Sequence, residues 1–358
     1  MLLNPKTYTV ESVTAGHPDK VCDQVSDAIL DECLRRDPNS RVAVEVFGGH
    51  GTLVVGGEIT SKADVDYAAT ARKVYKDIGY SEKLKIIVNI AVQSPDISMG
   101  VNTGGAGDQG IMYGYATDET PEFMPKAVVL VHKLAEGLEK LRKESPEGQA
   151  NWAGKNFSWL GPDGKTQITV KNGKIETVLV SCQHANKVEQ NFIKKEIADN
   201  LIKPIVGNLK YVKVLVNPTG KFTIGGFASD TGLTGRKIMV DTYCGLVPHG
   251  GGSFSGKDPT KVDRSAAYMA RYAAKNLVAN GFARKCLISV AYAIGKAEPL
   301  MVEAADENGK SISRYLDRKF DFRPRAIIEQ LQLKRPLYLK TAAYGHFGKA
   351  GLPWEEIS

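Results

Sequence analysis

The stretch Arg41-Val-Ala-Val-Glu-Val46, with three glycines at positions 48, 49 and 51 and then Thr52-Leu-Val-Val55, has the pattern of a β-hairpin. Apolar residues alternate with other residues in the first part, which predicts a strand, and the glycines supply a turn. The preceding residues 21–35 have apolar side chains at helical spacing. This part of the chain therefore predicts a helix followed by two antiparallel strands.

The same order of elements occurs twice more along the chain. The predicted helices, first strands and returning strands are residues 189–206, 213–216 and 222–224, and residues 265–278, 287–294 and 300–303. Gly51-Thr-Leu-Val-Val-Gly56-Gly57 also aligns with Gly220-Lys-Phe-Thr-Ile-Gly225-Gly226. These repeats predict three similar α/β (α+β) modules near residues 1–100, 107–225 and 226–358. Helices combined with hairpins favour mostly antiparallel sheets over a doubly wound parallel sheet.

The composition is that of a globular protein. A length of 358 residues predicts two or three domains, and 42% hydrophobic with 24% charged residues excludes a disordered or fibrous chain. No apolar run approaches the roughly 20 residues that span a bilayer, and residues 1–10 lack a signal-peptide pattern. Five cysteines without a C-x-x-C pair argue against a disulfide framework or a zinc site, and predict a cytoplasmic protein.

The net charge of +7 has two interpretations. Surplus lysine can serve solubility alone, or it can attract an anionic ligand. A nucleic-acid binder is a third hypothesis, but the basic residues are dispersed along the chain and do not form a basic cluster.

The segment Gly16-His-Pro-Asp-Lys20 predicts the start of a helix, with His17 as its cap and Pro18 at its first position. A helix N-terminus attracts anions, so His17 could contact a phosphate group there. The carboxylate of Asp19 could hold Mg²⁺. The alternative is that His17 and Asp19 only cap the helix.

The segment Gly250-Gly-Gly-Ser-Phe-Ser-Gly-Lys257-Asp-Pro259 almost matches the phosphate loop G-x-x-x-x-G-K-[ST]. It departs from that motif at Asp258, which replaces the hydroxyl that binds Mg²⁺. Its glycines and Lys257 favour phosphate binding, and Asp258 is expected to cap a helix that begins at Pro259. A glycine-rich surface loop and a phosphate-loop ATPase or kinase are the alternatives.

Two further glycine-rich segments are informative. Asp230-Thr-Gly-Leu-Thr-Gly-Arg236-Lys237 places two cations before a predicted strand at residues 238–243. Residues 93–110 contain a cluster of glycines, which indicates a mobile loop that could be either a lid or a plain connection. Cations, a histidine and acids on such loops together outline a site for a polyphosphate and a metal ion.

In its motifs the chain resembles the S-adenosylmethionine synthetases (methionine adenosyltransferases) of the bacterial and eukaryotic type, over about residues 9–354. The motifs that carry the resemblance are Glu11-Ser-Val-Thr-Ala-Gly-His-Pro-Asp-Lys20, Gly105-Ala-Gly-Asp-Gln-Gly110, the segment 250–259 and Thr341-Ala-Ala-Tyr-Gly-His-Phe-Gly348. Several long motifs in the same order make the resemblance specific.

The resemblance implies three domains with pseudo-threefold symmetry, and a homodimer with shared active sites that usually pairs into a homotetramer. It also implies that methionine sulfur attacks C5′ of ATP and expels triphosphate, which is then hydrolysed to phosphate and diphosphate. The implied partners are ATP and L-methionine, with two Mg²⁺ ions and K⁺ per site, and with no nucleic acid or membrane.

The resemblance also implies roles for individual residues. The implied catalytic residues are His17, Lys165, Arg236 and Lys257. The implied ATP-binding residues are His17, Asp163, Lys165, Lys221, Phe222, Asp230, Arg236, Lys237, Ser253 and Lys257. The implied methionine-binding residues are Glu58, Gln93, Asp230 and Lys261, and the implied metal ligands are Asp19 and Asp263 for Mg²⁺ and Glu45 for K⁺.

The chain departs from the family pattern at three places. The gating loop from Gln93 to about Gly105 is short, Lys221 stands where the family commonly has arginine, and the turn Phe47-Gly-Gly-His-Gly51 replaces a Lys-Thr-Gly type of turn. A lysine retains the positive charge but not the planar fork of a guanidinium. We expect the short loop to change closure and substrate range, and not the reaction.

Overall fold

The structure is a computed structural model that describes residues 5–92, 104–145, 156–316 and 319–358. Its helices are α1 (Pro18–Arg36), α2 (Tyr67–Ile78), α3 (Lys126–Lys143), α4 (Gln190–Ile197), α5 (Lys203–Val206), α6 (Ile238–Asp241), α7 (Val262–Ala279) and α8 (Pro324–Gln330). A π-helical segment, Ala198–Ile202, joins α4 to α5. Residues 93–103, which include Gln93 and most of the proposed gating loop from Gln93 to about Gly105, lie outside the described residues.

The strands form three sheets. They are β1 (Thr7–Val13), β2 (Arg41–Gly49), β3 (Thr52–Thr60), β4 (Lys85–Ala91), β5 (Gly110–Thr117), β6 (Leu160–Lys171), β7 (Lys174–His184), β8 (Lys213–Val216), β9 (Gly232–Leu233), β10 (Lys285–Tyr292) and β11 (Met301–Ala305). The strand orders are β4–β3–β2–β9, β1–β6–β7–β8 and β11–β10–β5. Among the described strands the pairs are antiparallel except β3–β4 and β7–β8, which confirms mostly antiparallel sheets.

Each sheet includes a strand from a different proposed module. β1 lies in the N-terminal range and pairs with β6, β5 lies in the central range and pairs with β10, and β9 lies in the C-terminal range and pairs with β2. The exchange is therefore cyclic, as expected for three modules around a pseudo-threefold axis. The exact module boundaries remain a prediction.

Helix α1 begins as the sequence predicts. His17 is the N-cap, Pro18 is the first helical residue, and the His17 side chain accepts a hydrogen bond from the Asp19 backbone N–H. Arg35 and Arg36 lie in the last turn, where cations interact favourably with the helix dipole. The helices predicted at residues 189–206 and 265–278 are also confirmed, by α4 to α5 and by α7.

Three local predictions are wrong because long-range contacts override the local pattern. Residues 222–224 form no strand: Phe222 exchanges hydrogen bonds with His184, and the chain then turns to Asp163, which accepts the Gly226 N–H. The predicted strand at 238–243 is instead helix α6 and a following turn. Helix α7 begins at Val262, not at Pro259.

Asp258 does not cap α7, because β2 and the turn before the helix use its carboxylate. Oδ2 accepts the Val42 N–H at 2.7 Å, and Oδ1 accepts the Thr260 N–H at 2.9 Å. The residue at the N-cap of α7 is Lys261. Asp258 therefore joins the N-terminal hairpin to the segment that carries Lys257.

A buried ion pair joins α1 to α7. Asp27 accepts two hydrogen bonds from the guanidinium of Arg264, at 2.7 and 2.8 Å, and both side chains are 0% exposed. Asp27 also accepts the Gly256 N–H at 2.8 Å, and Arg264 donates to the Phe254 and Lys257 carbonyls. The glycine-rich segment 250–257 is thus held from inside by two helices.

All five cysteines are free and buried. No helix in the described residues is long and apolar enough to cross a membrane.

We expect Asp27→Asn to lower the free energy of unfolding by about 3–5 kcal/mol, because it leaves the Arg264 charge buried without its partner. Denaturant unfolding followed by circular dichroism measures the change. The matched control is Asp118→Asn, which removes the partner of the exposed Arg284 and should leave stability unchanged. Equal stability of the two variants would show that the buried pair is dispensable.

Candidate active site

His17 lies at the start of α1 as a buried, neutral imidazole. Its Nδ1 accepts the Asp19 N–H at 3.2 Å, which assigns the ring proton to Nε2. Burial lowers the pKa of His17 to about 3, and the charges of Lys237 and Lys165 contribute. His17 can therefore donate a hydrogen bond from Nε2 at neutral pH without carrying charge.

Asp19 is the centre of a cluster of donors. Its Oδ2 lies 2.5 Å from the Lys237 Nζ, and its Oδ1 accepts the Leu233 N–H at 3.0 Å, with the Arg236 Nε at 3.7 Å. Burial raises the pKa of Asp19, but the hydrogen bonds from Lys237 and Leu233 outweigh it, so the pKa is lowered. The carboxylate is therefore ionised at neutral pH.

The local backbone brings these groups together. A Cβ at Gly232 would lie 2.2 Å from the Pro18 carbonyl oxygen, so β9 can approach the start of α1 only because this residue is glycine. A Cβ at Gly16 would lie 2.3 Å from the Pro162 carbonyl oxygen, which brings the start of β6 to the same place. Three distant segments therefore meet around His17.

β6 contributes Asp163 and Lys165. Lys165 is exposed, pairs with Val13 in the β1–β6 register, and lies close enough to lower the pKa of His17. Asp163 is buried and accepts the Gly226 N–H at 2.8 Å. Burial raises the pKa of Asp163 to about 6, although the hydrogen bond from Gly226 and the charge of Lys165 lower it.

The segment after β8 contributes Lys221, Phe222 and Asp230. Lys221 and Asp230 are exposed, and Phe222 is half-buried with its backbone tied to His184. The charge of Asp230 raises the pKa of Asp163, so these two carboxylates lie near one another. The structure thus brings most of a first group of the expected residues together: His17, Asp19, Asp163, Lys165, Asp230, Arg236 and Lys237. With Lys221 and Phe222, which precede Asp230 on the same segment, we call them the His17 set.

The second group, here called the Lys257 set, consists of Ser253, Lys257, Lys261 and Asp263. The Lys257 Nζ lies 2.6 Å from the Asp263 Oδ2, and Lys261 forms an ion pair with Asp258. A Cβ at Gly252 would lie 2.2 Å from Asp263 Oδ1, so the glycine-rich segment is packed directly against this carboxylate. Sequence reasoning missed Asp258 as the residue that orients Lys261, because its contact with β2 has no local signal.

Glu45 and Glu58 lie beside the Lys257 set, on the outward face of the β4–β3–β2–β9 sheet. Lys257 forms an isolated bridge with Ala43, and Ala43 pairs with Glu58 across the β2–β3 hairpin. Glu45 is two residues along β2 from Ala43, so it lies on the same face, and it is exposed.

The two sets adjoin but do not interact directly. A Cβ at Gly235 would lie 2.6 Å from the Ser253 Cβ, so the segments carrying them are in contact. In the described parts of the chain, no hydrogen bond or ion pair joins a side chain of the His17 set to one of the Lys257 set.

The segment 250–257 is not a true phosphate loop. In phosphate-loop folds a strand leads into the loop and a helix follows it directly. Here turns precede residue 250, and further turns separate Lys257 from the start of α7. The ATPase or kinase alternative therefore has no structural support.

The carboxylates of the two sets could take part in metal binding. Within residues 5–92, 104–145, 156–316 and 319–358, no group of three or more His, Cys, Asp or Glu side chains has the arrangement of a metal site. Mg²⁺ in nucleotide sites, however, commonly takes one or two carboxylates and completes its shell with phosphate oxygens and water. Asp19 and Asp263, each beside a lysine, fit that pattern.

Comparison with known proteins identifies the family of this chain. The N-terminal, central and C-terminal domains of S-adenosylmethionine synthetase match residues 5–97, 103–222 and 224–356. The S-adenosylmethionine synthase of Pseudothermotoga lettingae is 50% identical over 98% of this chain and 96% of its own length. Those of Mesoplasma florum and Staphylococcus epidermidis are 49% and 46% identical, over 98% and 100% of this chain and 97% of each relative. The chain belongs to the S-adenosylmethionine synthetase family.

Proposed function

We propose that this S-adenosylmethionine synthetase carries out its reaction between the His17 set and the Lys257 set. The observation that carries the proposal is that each set contains a carboxylate held against a lysine, Asp19 with Lys237 and Asp263 with Lys257. Each pair offers one oxygen ligand for a metal ion and one cation for a phosphate group. Two such pairs suit a triphosphate chain with two bound cations.

The displacement is a single exchange of bonds. The methionine sulfur forms a bond to C5′ of ATP with its lone pair, while the bond between C5′ and the triphosphate oxygen breaks and that oxygen keeps the electron pair. The product is a sulfonium ion, and no covalent bond to the enzyme forms. Orientation and stabilisation of the departing negative charge are therefore what the protein has to supply.

The cations of both sets suit this leaving group. We assign Lys165, Arg236, Lys237 and Lys257 to the triphosphate, and Lys221, Phe222, Ser253 and Asp163 to the nucleotide. The Nε2–H of His17 is free to donate to the oxygen that leaves C5′, because Nδ1 is occupied by the Asp19 N–H. Hydrolysis of triphosphate would follow at the same cations. Water forms a bond to a terminal phosphorus while the bridging P–O bond breaks; diphosphate leaves with that oxygen and its electron pair, and the protons of the water pass to solvent.

Metal ions supply further stabilisation of the phosphate charge when they are bound. We propose that Asp19 and Asp263 each hold one Mg²⁺, and that Glu45 holds K⁺. Both aspartates also pair with a lysine, and a lysine released from its carboxylate would be free to contact the phosphates.

The charged ends of methionine need groups of opposite charge. We propose that the carboxylates of Glu58 and Asp230 bind its ammonium group and that Lys261 binds its carboxylate, with Gln93 also contributing. Lys261 already has an ion-pair partner in Asp258, which fixes its position beside Lys257.

We propose that the active unit is a homodimer, and that two dimers pair into a tetramer. The outward face of the β4–β3–β2–β9 sheet exposes apolar side chains beside Glu45 and Glu58: Phe47 is 47% exposed and Ile87 is 41% exposed. Phe47, Val54 and Ile87 lie in one row across β2, β3 and β4. An apolar row next to site residues is suited to contact with a second copy, which would complete the shared site.

The direct test is to incubate the full chain with ATP, methionine, Mg²⁺ and K⁺ and to detect S-adenosylmethionine by mass spectrometry. The same mixture without methionine should release little phosphate from ATP. Rapid methionine-independent release with no sulfonium product would contradict the proposal.

We expect Lys257→Ala to lower kcat on the order of 100-fold, because it removes one cation that stabilises the leaving triphosphate. Steady-state assays of S-adenosylmethionine formation measure the loss. Lys187→Ala, an exposed lysine outside both sets, should behave as wild type. Near-normal activity of Lys257→Ala in an intact oligomer would remove Lys257 from the site.

We expect kcat/KM for ATP to fall as the pH drops below about 6. The pKa of Asp163 is raised to about 6, so Asp163 is ionised above that pH and can then hold the Gly226 N–H as a charged acceptor. His17, with a pKa of about 3, stays neutral across this range. Asp163→Asn should lower activity and abolish this acid limb. If Asp163→Asn keeps the same fall in kcat/KM at low pH, another titrating group causes that fall.

We expect Phe47→Asp to yield a monomer with little activity, because a charge in the apolar row opposes its burial. Analytical ultracentrifugation and the product assay measure the two effects. Tyr211→Asp is the control, since Tyr211 is 85% exposed on another part of the surface. A fully dimeric Phe47→Asp would show that the subunit contact lies elsewhere.

A further inference from the structure

A second basic cavity lies next to the Lys257 set without including any of its residues. It has a volume of about 570 Å³, within the range of small-molecule sites. Its walls come from the start of β2, from Gly104 and Gly105, from Thr260 before α7, and from α8 with the turn that follows it. We call it the Arg41 cavity.

The walls of the cavity have an excess of positive charge. They contain Arg41, Arg325, Lys334 and Arg335, and one acid, Glu329. Arg325 forms an ion pair with that acid, because its Nε lies 2.9 Å from the Glu329 Oε1.

The other cations have only neutral partners or none. Lys334 donates to the Asn39 side-chain oxygen at 2.7 Å, and Arg335 donates to the Gln332 carbonyl at 3.1 Å. Among the described residues, Arg41, Lys334 and Arg335 therefore face the cavity region without a carboxylate partner.

Arg41 adds a second observation that points to a ligand. Its Nη1 atom is buried and has no hydrogen-bond partner among the described residues. A buried guanidinium N–H without an acceptor is costly, and a turn of the Arg41 side chain toward the cavity would let an anion there accept it. The planar fork of arginine suits the oxygens of a phosphate group.

The cavity also has a physical connection to the proposed active site. Val42, the next residue after Arg41, exchanges hydrogen bonds with Asp258, and the Thr260 hydroxyl donates to the same carboxylate at 2.6 Å. Asp258 in turn forms the ion pair with Lys261. An anion beside Arg41 and Thr260 would therefore lie one residue from the groups that orient Lys261.

We propose that the Arg41 cavity is a separate anion site that binds diphosphate. Three unpaired cations and a cavity of this size match a small ion with several charges. The identity of the ion rests on the proposed function, because diphosphate is a product of triphosphate hydrolysis; the presence of an anion site does not.

The test measures binding of sodium diphosphate to the full chain by isothermal titration calorimetry, without ATP. The background is Lys257→Ala, which weakens binding at the proposed active site. In that background a double variant, Lys334→Gln with Arg335→Gln, should raise the dissociation constant at least about tenfold, and Arg41→Lys should raise it severalfold. Both double-variant positions are exposed, so the fold should be retained, and thermal unfolding verifies it.

The control is Arg284→Gln, which removes one exposed cation elsewhere and should leave diphosphate binding unchanged. Unchanged affinity in the double variant would overturn the cavity as an anion site. Citrate binding as tight as diphosphate would overturn the phosphate assignment. If the proposed active site is wrong, Lys257→Ala alone will leave diphosphate binding intact, whereas the comparison of cavity variants will still report on the Arg41 cavity.

Discussion

The buried ion pair between Asp27 and Arg264 is the interaction on which both halves of the candidate site depend. It joins α1, whose first turn carries His17 and Asp19, to α7, whose first turn carries Asp263. Buried ions are costly unless every donor and acceptor is used. Here the remaining hydrogen-bonding atoms of the pair bind the backbone of the glycine-rich segment: Asp27 accepts an N–H, and Arg264 donates to two carbonyls. One interior contact thus fixes the distance between the starts of α1 and α7, which carry site residues of the two sets.

The charges that act on His17 are mostly positive. Burial and the nearby lysines lower the pKa of His17, so the imidazole is uncharged at neutral pH. A charged ring would add to the repulsion, whereas a neutral one keeps a directed donor. The aspartates beside the lysines limit the same repulsion in the free enzyme. Lysine and carboxylate therefore stabilise each other in the free protein.

The sequence is sufficient for features that local chemistry determines, and insufficient for those that depend on distant contacts. Helix periodicity and the Pro18 signal predict α1, and the repeats predict β2, β3, β8, β10 and β11 but not the other described strands. The resemblance implies roles for the site residues, and the fold places most of those that it describes in two adjoining sets; their roles stay predictions. The exchange of β1, β5 and β9 could not be predicted, because nothing within a strand specifies a partner far along the chain. Helix α6 and the turn at residues 222–224 were mispredicted for the same reason, and Asp258 was misassigned as a helix cap.

The cyclic exchange of strands has a consequence for the order in which the chain can fold during synthesis. β2 has an open edge until β9, at residues 232–233, has left the ribosome, and β5 has no partner until β10 follows. The β4–β3–β2–β9 and β11–β10–β5 sheets thus wait for strands from the C-terminal range, whereas the β1–β6–β7–β8 sheet has all its strands by residue 216. Unpaired edges invite association with other chains. Such a ring favours folding as one cooperative event late in translation, and it makes the protein a poor candidate for division into independent pieces.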